Sequence, residues 1–124
     1  MSKGTDEYLK GMYDAFKWSE FHDGLRNLLK EGQYDAYRVI DDEVLYVAMV
    51  EKNNKYGIIK YYSRGCFHTI LPAIYDEIIV DWTKFAAKLN NKWGLFDSNG
   101  EQLKPFEYDT DQEALEAQLN KKIN

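Results

Sequence analysis

Two hydrophobic patterns divide the chain, and the first has the spacing of a helix. Between residues 5 and 31, apolar side chains recur every three or four positions, which predicts a helical segment. Thr5 is the expected amino-terminal cap, and Gly32 is expected to end the segment. The apolar stripe slips near Trp18-Ser19, so the pattern allows one kinked helix or two helices, with Ser19 capping the second. We expect the stripe to cover one face of a sheet, in preference to anchoring the chain to a membrane or a partner helix.

The second pattern consists of short apolar runs that are rich in β-branched and aromatic residues and are separated by polar turns. Eight runs are predicted as strands, at residues 37–40, 44–50, 56–62, 66–71, 77–80, 85–89, 93–97 and 101–103. Pro72 is expected to end the fourth strand, because proline has no amide hydrogen to donate to a sheet. Asn99-Gly100 is expected to form a tight hairpin turn, since both residues tolerate a positive φ.

The strand region repeats itself. A stretch of five residues, Asn53-Asn54-Lys55-Tyr56-Gly57, returns 37 residues later as Asn90-Asn91-Lys92-Trp93-Gly94. A second stretch, residues 72–76, returns 33 residues later as residues 105–109. The chain therefore contains two related hairpin units.

The two units differ in length. When Tyr34-Asp35 is aligned with Tyr75-Asp76, the first unit is longer by four residues in each half. Additional residues fit most easily into turns, which places them at residues 41–43 and around residues 62–66. Function is commonly added to a scaffold where it departs from its own template, so these two loops are candidates for a functional surface.

The repeated residues resemble the WG-repeat (KWG) β-repeat found mostly in bacterial proteins. The second unit carries the resemblance from Asn90 to Gly100, and the first unit is similar to a diverged copy with Tyr56 in place of Trp. The resemblance covers residues 34–109 and implies a β scaffold used for binding, without shared catalytic residues. About two units is fewer than in longer arrays, so the terminal helices are expected to act as caps over the end sheets.

The predicted fold class is α+β, in a single domain of residues 1–124. An antiparallel β-hairpin repeat at 34–109 forms a small sheet or partly open barrel. It follows the helical segment at 5–31 and precedes a short helix at 110–122, which begins with a capping box at Thr110. Aromatic residues make up 15% of the chain, which favours a strand-rich core.

Two repeat positions have specific expected roles. Trp93 is large enough to anchor a small core, and Gly94 allows the backbone to bend or another strand to approach closely. Tyr75 and Tyr108 are expected to bury their rings. An aromatic cage for a ligand is the alternative interpretation of these positions.

Charge and cysteine content limit the class of protein. The net charge is −5, so nucleic-acid binding is not expected, although seven Lys or Arg residues between positions 52 and 93 form a basic centre. Cys66 is the only cysteine, which rules out an internal disulfide. Residues 1–6 begin no apolar run, so no secretory signal is expected, and no stretch has the apolar length of a membrane helix. A cytoplasmic location is predicted.

Few residues indicate chemistry. Cys66 and His68 point to the same face of a strand, as a nucleophile and its base would, but no third group accompanies them. We favour a structural role for Cys66 as a small apolar filler. His22 and His68 lack the neighbouring ligands of a metal site. No catalytic residues, metal or cofactor are predicted.

The leading functional hypothesis is a non-enzymatic macromolecule-binding protein. A small acidic domain suits a bacterial or phage inhibitor, or an immunity-type protein, that acts on a toxin or defence effector through a protein–protein interface. A ligand or nucleic-acid sensor that uses the basic centre is the alternative, and a Cys/His enzyme is less favoured. The candidate partner-binding residues form an acidic loop and a basic edge, namely Asp41, Asp42 and Glu43 in the loop and Lys52, Lys55, Lys88 and Lys92 on the edge. The oligomeric state is left open.

Overall fold

The computed structural model describes residues 2–64, 66–81 and 84–116, with side chains from residue 16 onward. A helix, α1 (Ser2–Lys30), is followed by β1 (Ala36–Asp41), β2 (Val47–Lys52), β3 (Lys55–Ser63), β4 (Cys66–Tyr75), β5 (Glu77–Asp81), β6 (Lys84–Leu89), β7 (Lys92–Asp97) and β8 (Gln102–Tyr108). A short helix, α2, covers residues 111–116. The predicted α+β class is confirmed, and the strands form two open antiparallel sheets instead of a closed barrel. The rest of the helix predicted at 110–122 lies outside the described residues.

Helix α1 is continuous, which settles the choice between one helix and two. It begins at Ser2, so Thr5 lies within the helix and is not its cap, and it passes Ser19 without a break. Among its described side chains, Phe21 and Leu25 pack on the sheet and are fully buried, and Leu28 packs beside them. The stripe slips because Phe16 does not belong to the face that meets the sheet.

The predicted helix end is confirmed. Gly32 has a φ of 76°. The Gly32 amide donates to the carbonyl of Leu29 and the Gln33 amide to that of Leu28, both at 3.0 Å. These two bonds form the glycine-terminated cap that satisfies the last carbonyls of a helix.

Each sheet is a meander of four strands that neighbour one another in chain order, β1 to β4 in the first sheet and β5 to β8 in the second. Both sheets contain the same irregularity. Residue pairs Tyr56–Tyr75 and Ile58–Leu71 leave three residues of β4 opposite one residue of β3. In the second sheet, the pairs Trp93–Tyr108 and Leu95–Lys104 leave three residues of β8 opposite one of β7. The internal repeat is therefore a repeat of bulged hairpins.

The bulges explain why the expected strand end at Pro72 is wrong. Pro72 lies within β4 and Pro105 within β8, and both strands continue to the end of the bulge. Each strand is at the edge of its sheet, and each proline occupies a bulge, so neither interrupts a regular ladder of hydrogen bonds.

The repeat glycines face these bulges. A Cβ atom on Gly57 would lie 2.6 Å from the carbonyl oxygen of Leu71, and one on Gly94 would lie 2.9 Å from the ring of Phe106. The predicted close approach of another strand at Gly94 is confirmed, and the same approach occurs at Gly57.

The elements stack in four layers, with α1 on the first sheet, the first sheet on the second, and α2 on the far side of the second sheet. The core between the sheets consists of residues from both of them, Val47, Ile58, Leu71, Tyr75, Ile78, Phe85, Ala87 and Phe96. The core under α1 contains Phe21, Leu25, Tyr46, Ala48, Val50, Ile59 and Tyr61. The far side of the second sheet packs Trp93 and Ala86 against Ala114 of α2. The expected role of the terminal helices as caps is confirmed.

One of the two amide bonds of the predicted capping box is present, and two of the three repeat aromatic residues are buried. The Glu113 amide donates to Thr110 Oγ1 at 3.1 Å, and the Thr110 hydroxyl bonds to the Glu113 carboxylate at 3.2 Å. Trp93 is 5% exposed and Tyr75 is buried, whereas Tyr108 is only half-buried. Burial of Trp93 and Tyr75 leaves no open aromatic cage at these two positions.

Candidate functional site

The two regions that lengthen the first unit lie at the same end of the first sheet. The β1–β2 connection is a longer loop, as predicted, but the expected longer turn around residues 62–66 is wrong. There β3 continues to Ser63 and β4 starts at Cys66, so the additional residues extend these two strands.

In a four-stranded antiparallel meander, the β1–β2 and β3–β4 connections share one end, and the β2–β3 turn lies at the other. Residues 16–22 of α1 reach this shared end. Trp18 and His22 form hydrogen bonds with Asp42 of the β1–β2 connection, and other residues of this helix segment line a depression together with residues 62–64. We define the helix–loop surface as residues 16–22, 42–46 and 62–64.

Asp42 joins the β1–β2 connection to the helix. Its Oδ2 atom accepts hydrogen bonds from Trp18 Nε1 at 3.0 Å and from His22 Nε2 at 2.9 Å. The rings of Trp18 and His22 lie 4.2 Å apart. The hydrogen bond with His22 lowers the pKa of Asp42 below its ordinary value, opposed by partial desolvation and assisted by Trp18. The carboxylate therefore holds the Trp18 and His22 side chains in place.

Asp41 shapes the same connection from within. Its Oδ2 atom accepts from the Val44 amide at 3.0 Å and also from the Leu45 amide. The next residue, Tyr46, has a φ of 56° and a buried side chain. Its ring packs edge-on against Phe21, and Lys17 Nζ lies 4.7 Å from its centroid. Two of the three predicted acidic contact residues thus have internal roles, whereas Glu43 is exposed.

Exposed apolar side chains are concentrated on the helix–loop surface. Among the described side chains, six large hydrophobic residues are exposed, and only Ile74 lies away from this surface. The five members are Phe16 at 65% exposure, Trp18 at 47%, Val44 at 75%, Leu45 at 42% and Tyr62 at 52%. Such a concentration, bordered by charged residues, is typical of an interaction site.

A depression of about 570 Å³ opens on one side of this surface. Its lining residues are Phe16, Lys17, Glu20, Tyr62, Ser63 and Arg64. The Glu20 carboxylate accepts a hydrogen bond from the Tyr61 hydroxyl at 3.0 Å, which ties the helix to β3. The Tyr62 ring lies 4.6 Å from the ring of His68 and 5.9 Å from Lys60 Nζ. The depression therefore combines aromatic surface with positive charge.

The predicted basic edge lies at the opposite end of the sheets, and its lysines are beside aspartates. Lys52 donates to the Gly32 carbonyl at 2.8 Å and lies 3.7 Å from the Asp35 carboxylate. Lys92 pairs with Asp109, whose carboxylate raises the pKa of Lys92.

Lys55 and Lys88 both act on Asp76. The hydrogen bond from Lys55 is the main reason that the pKa of Asp76 is lowered, and the charge of Lys88 contributes. Lys88 also lies 6.0 Å from the centroid of the Trp93 ring. The positive charge of the basic edge is therefore largely compensated by the aspartates of the repeated Tyr-Asp pairs. The acidic loop lies at the other end of the sheet.

The structure corrects the interpretation of Cys66 as a buried filler. Cys66 is exposed at the start of the edge strand β4, with Sγ 3.9 Å from the carbonyl oxygen of Arg64. His68 is also exposed, and its ring packs on Tyr62. Because Cys66 is exposed, reaction with a thiol reagent would not by itself distinguish a catalytic thiol from an ordinary one.

Sequence reasoning missed most of this surface. By its spacing, Phe16 belongs to the predicted apolar stripe of the helix, and Trp18 stands where this stripe slips. The signal was present in that slip, because a residue displaced from the buried stripe projects to the side of the helix. Tyr62 lies near the end of β3 and Arg64 in the short turn that follows it, within the region where the length comparison places additional residues.

Comparisons with protein-family models, with curated proteins and with solved structures found no significant match. Within the described residues, no helix has both the length and the apolar character needed to cross a membrane. The described side chains also contain no group of three or more His, Cys, Asp or Glu residues arranged to hold a metal ion.

Proposed function

We propose that this protein is a non-enzymatic binding protein that recognises another protein through the helix–loop surface. Its role is that of a small bacterial or phage inhibitor, or an immunity-type protein, acting in the cytoplasm on a toxin or defence effector. In this proposal the WG-repeat sheets supply the scaffold, and helix α1 and the first unit carry the binding surface.

The observation that carries the proposal is the position of the exposed apolar residues. Five of the six exposed large hydrophobic side chains among the described residues lie on the helix–loop surface. Aromatic side chains such as Trp18 and Tyr62 contribute strongly at protein interfaces, because they bury a large area and lose little conformational entropy.

The surface is also held in one conformation before binding. Asp42 fixes the Trp18 indole and the His22 imidazole, and Asp41 fixes the backbone of Val44 and Leu45. A preorganised surface loses less entropy on association than a mobile one. Glu43 remains free to meet a basic residue at the rim of the partner's surface.

The basic edge is the alternative contact surface. The observation against it is that Lys52, Lys55 and Lys92 have aspartate partners and Lys88 lies near one, so a partner's carboxylates would compete with internal ones. Exposed ion pairs of this kind contribute little to stability and are compatible with a solvated surface.

The test uses two matched apolar residues. Leu45 and Ile74 have similar exposure, at 42% and 48%. Leu45 lies on the helix–loop surface, whereas Ile74 lies away from it. A photo-crosslinking amino acid at position 45 should form one specific adduct in the source cells, and the same amino acid at position 74 should not. The captured protein, once identified, should bind Leu45→Ser at least about tenfold more weakly than Ile74→Ser. Equal binding by the two variants would reject this surface.

A second copy of the chain is the competing occupant of the same surface. Light scattering across a concentration series measures the mass of the wild-type protein and of Leu45→Ser. If the wild-type protein is a dimer and Leu45→Ser is a monomer, the surface binds a second copy of this chain and not the proposed partner. A monomer at all concentrations agrees with recognition of a different protein.

A further inference from the structure

The depression between α1 and the β3–β4 turn has the composition of a ligand site. Its lining contains two aromatic residues, Phe16 and Tyr62, and two cations, Lys17 and Arg64. Ser63 and Glu20 complete the lining. Its volume of about 570 Å³ falls within the range of small-molecule sites. Aromatic rings accept the flat face of another ring, and arginine binds phosphate through two parallel hydrogen bonds.

Arg64 occupies an unusual backbone conformation. Six residues other than glycine have a positive φ among the described residues, and four of them are asparagines in the β2–β3 and β6–β7 turns. Asparagine tolerates this conformation, whereas arginine has no such local advantage. Arg64, with a φ of 53°, stands at a turn position where asparagine or glycine would be favoured. A side chain that stands at a position its backbone disfavours suggests a role for that side chain.

The cations of the depression are not neutralised by a carboxylate in the part of the chain that the structure describes, although Lys17 Nζ also lies 4.7 Å from the centroid of the Tyr46 ring. The ion pairs among the described side chains do not include Lys17 or Arg64. The one acid in the lining, Glu20, is bonded to the Tyr61 hydroxyl. Lys60, beside Tyr62, adds a further positive charge nearby.

We propose that this depression binds a nucleoside phosphate. Arg64 and Lys17 hold the phosphate, and the base packs against the rings of Tyr62 and Phe16. The protein is acidic as a whole, so the local positive charge selects a small anion and not an extended nucleic acid. The proposal adds a ligand to the helix–loop surface and does not depend on a protein partner.

The test separates the ring from the charge. Purified protein is titrated with AMP, with adenosine and with inorganic phosphate, and amide shifts are followed by NMR. AMP should shift the amides of residues 16–20 and 62–64 and bind at least about tenfold more tightly than either fragment, because only AMP meets both the cations and the rings. If inorganic phosphate binds as tightly as AMP, the site holds an adventitious ion only and the proposal is wrong. The absence of any AMP binding would also overturn it.

Substitution of Arg64 provides the decisive variant. Arg64→Asn removes the charge and places in the turn a residue that accepts its φ, so the protein should melt at or above the wild-type temperature. AMP should nevertheless bind at least about tenfold more weakly. Arg38→Gln is the matched control, because Arg38 is exposed on β1 and does not line the depression. The proposal is wrong if Arg64→Asn binds AMP like the wild type, or if Arg38→Gln weakens binding equally.

Discussion

A Cβ atom on Gly57 would lie 2.8 Å from the carbonyl carbon of Pro72, so these two repeat residues meet across the β3–β4 pair. The bulge that contains Pro72 presses its backbone onto the strand at the point where Gly57 offers no side chain. In the second unit, Gly94 faces the bulge that contains Pro105 in the same way. The aromatic-glycine pair and the later proline are therefore two parts of one hairpin geometry.

The first prediction concerns these glycines. Gly57→Ala should destabilise the protein by about 2 to 3 kcal/mol, because its nearest atoms belong to the backbone of the bulge and cannot move independently. Gly94→Ala should cost about 1 kcal/mol, since the closest atom belongs to the Phe106 side chain. Urea unfolding measures both. If Gly94→Ala lowers the free energy of unfolding more than Gly57→Ala does, the backbone of the first bulge adjusts more easily than the Phe106 side chain, and the prediction is wrong.

This geometry also shows how far the sequence predicts the fold. The offset of 37 residues in the sequence relates equivalent positions in β3 and β7, and the offset of 33 residues relates equivalent positions in β4 and β8. The strand order and the terminal caps follow from the same repeat. The predicted strand end at Pro72 is wrong because sequence alone does not reveal that its strand is an edge strand with a bulge.

The candidate site was less predictable because it depends on contacts that are distant in sequence. Trp18 and Asp42 are 24 residues apart, and Tyr61 and Glu20 are 41 apart. Local periodicity carries no information about such pairs. The length comparison nevertheless located both regions of difference. The additional residues form a longer loop between β1 and β2, as expected, whereas around residues 62–66 they lengthen β3 and β4 and not the turn.

The second prediction compares two tryptophans. Trp93 is 5% exposed between the second sheet and α2, whereas Trp18 is 47% exposed. Trp93→Ala should destabilise by about 3 to 5 kcal/mol, because it removes buried area and leaves a cavity. Trp18→Ala should cost about 1 kcal/mol, mainly through its hydrogen bond to Asp42. Thermal melts that rank the two variants in the opposite order would contradict the layered packing.

The third prediction concerns the pH dependence that Asp42 creates. Its pKa in the folded state lies below the ordinary value of 3.8, chiefly because of the hydrogen bond with His22. The stabilisation is therefore complete above pH 3.8 and is lost as the pH falls through the lowered value. Asp42→Asn should lower the free energy of unfolding at pH 6 and flatten its decline below pH 4.

The neighbouring acid provides the control for this measurement. Glu43→Gln removes the same charge from an exposed residue of the same connection. Urea unfolding at a series of pH values should give Glu43→Gln a profile close to that of the wild type. If both variants flatten the profile equally, general charge and not the contact with Trp18 and His22 accounts for the effect.

The fourth prediction tests the compensation at the basic edge. Lys55→Gln should raise the pKa of Asp76 towards 3.8, because the hydrogen bond from Lys55 is the main cause of its depression. Lys88→Gln should raise it less, since Lys88 contributes only through its charge. NMR titration of the Asp76 carboxyl carbon reports both changes. An equal or reversed effect would show that Lys55 does not hold this carboxylate in solution.

The last prediction decides which end of the sheets binds the partner. Replacement of Lys52, Lys55, Lys88 and Lys92 by Gln should leave the fold intact, because each is a surface substitution with an effect of roughly 0.5 kcal/mol or less. At physiological salt, charges more than about 8 Å away are screened, so a partner on the helix–loop surface should bind this variant with nearly unchanged affinity. Leu45→Ser and Tyr62→Ser should each weaken the same interaction at least about tenfold. Calorimetry with the identified partner measures all three variants. If the lysine variant loses binding while the two helix–loop variants retain it, the basic edge is the working surface and the proposed role of the helix–loop surface is wrong.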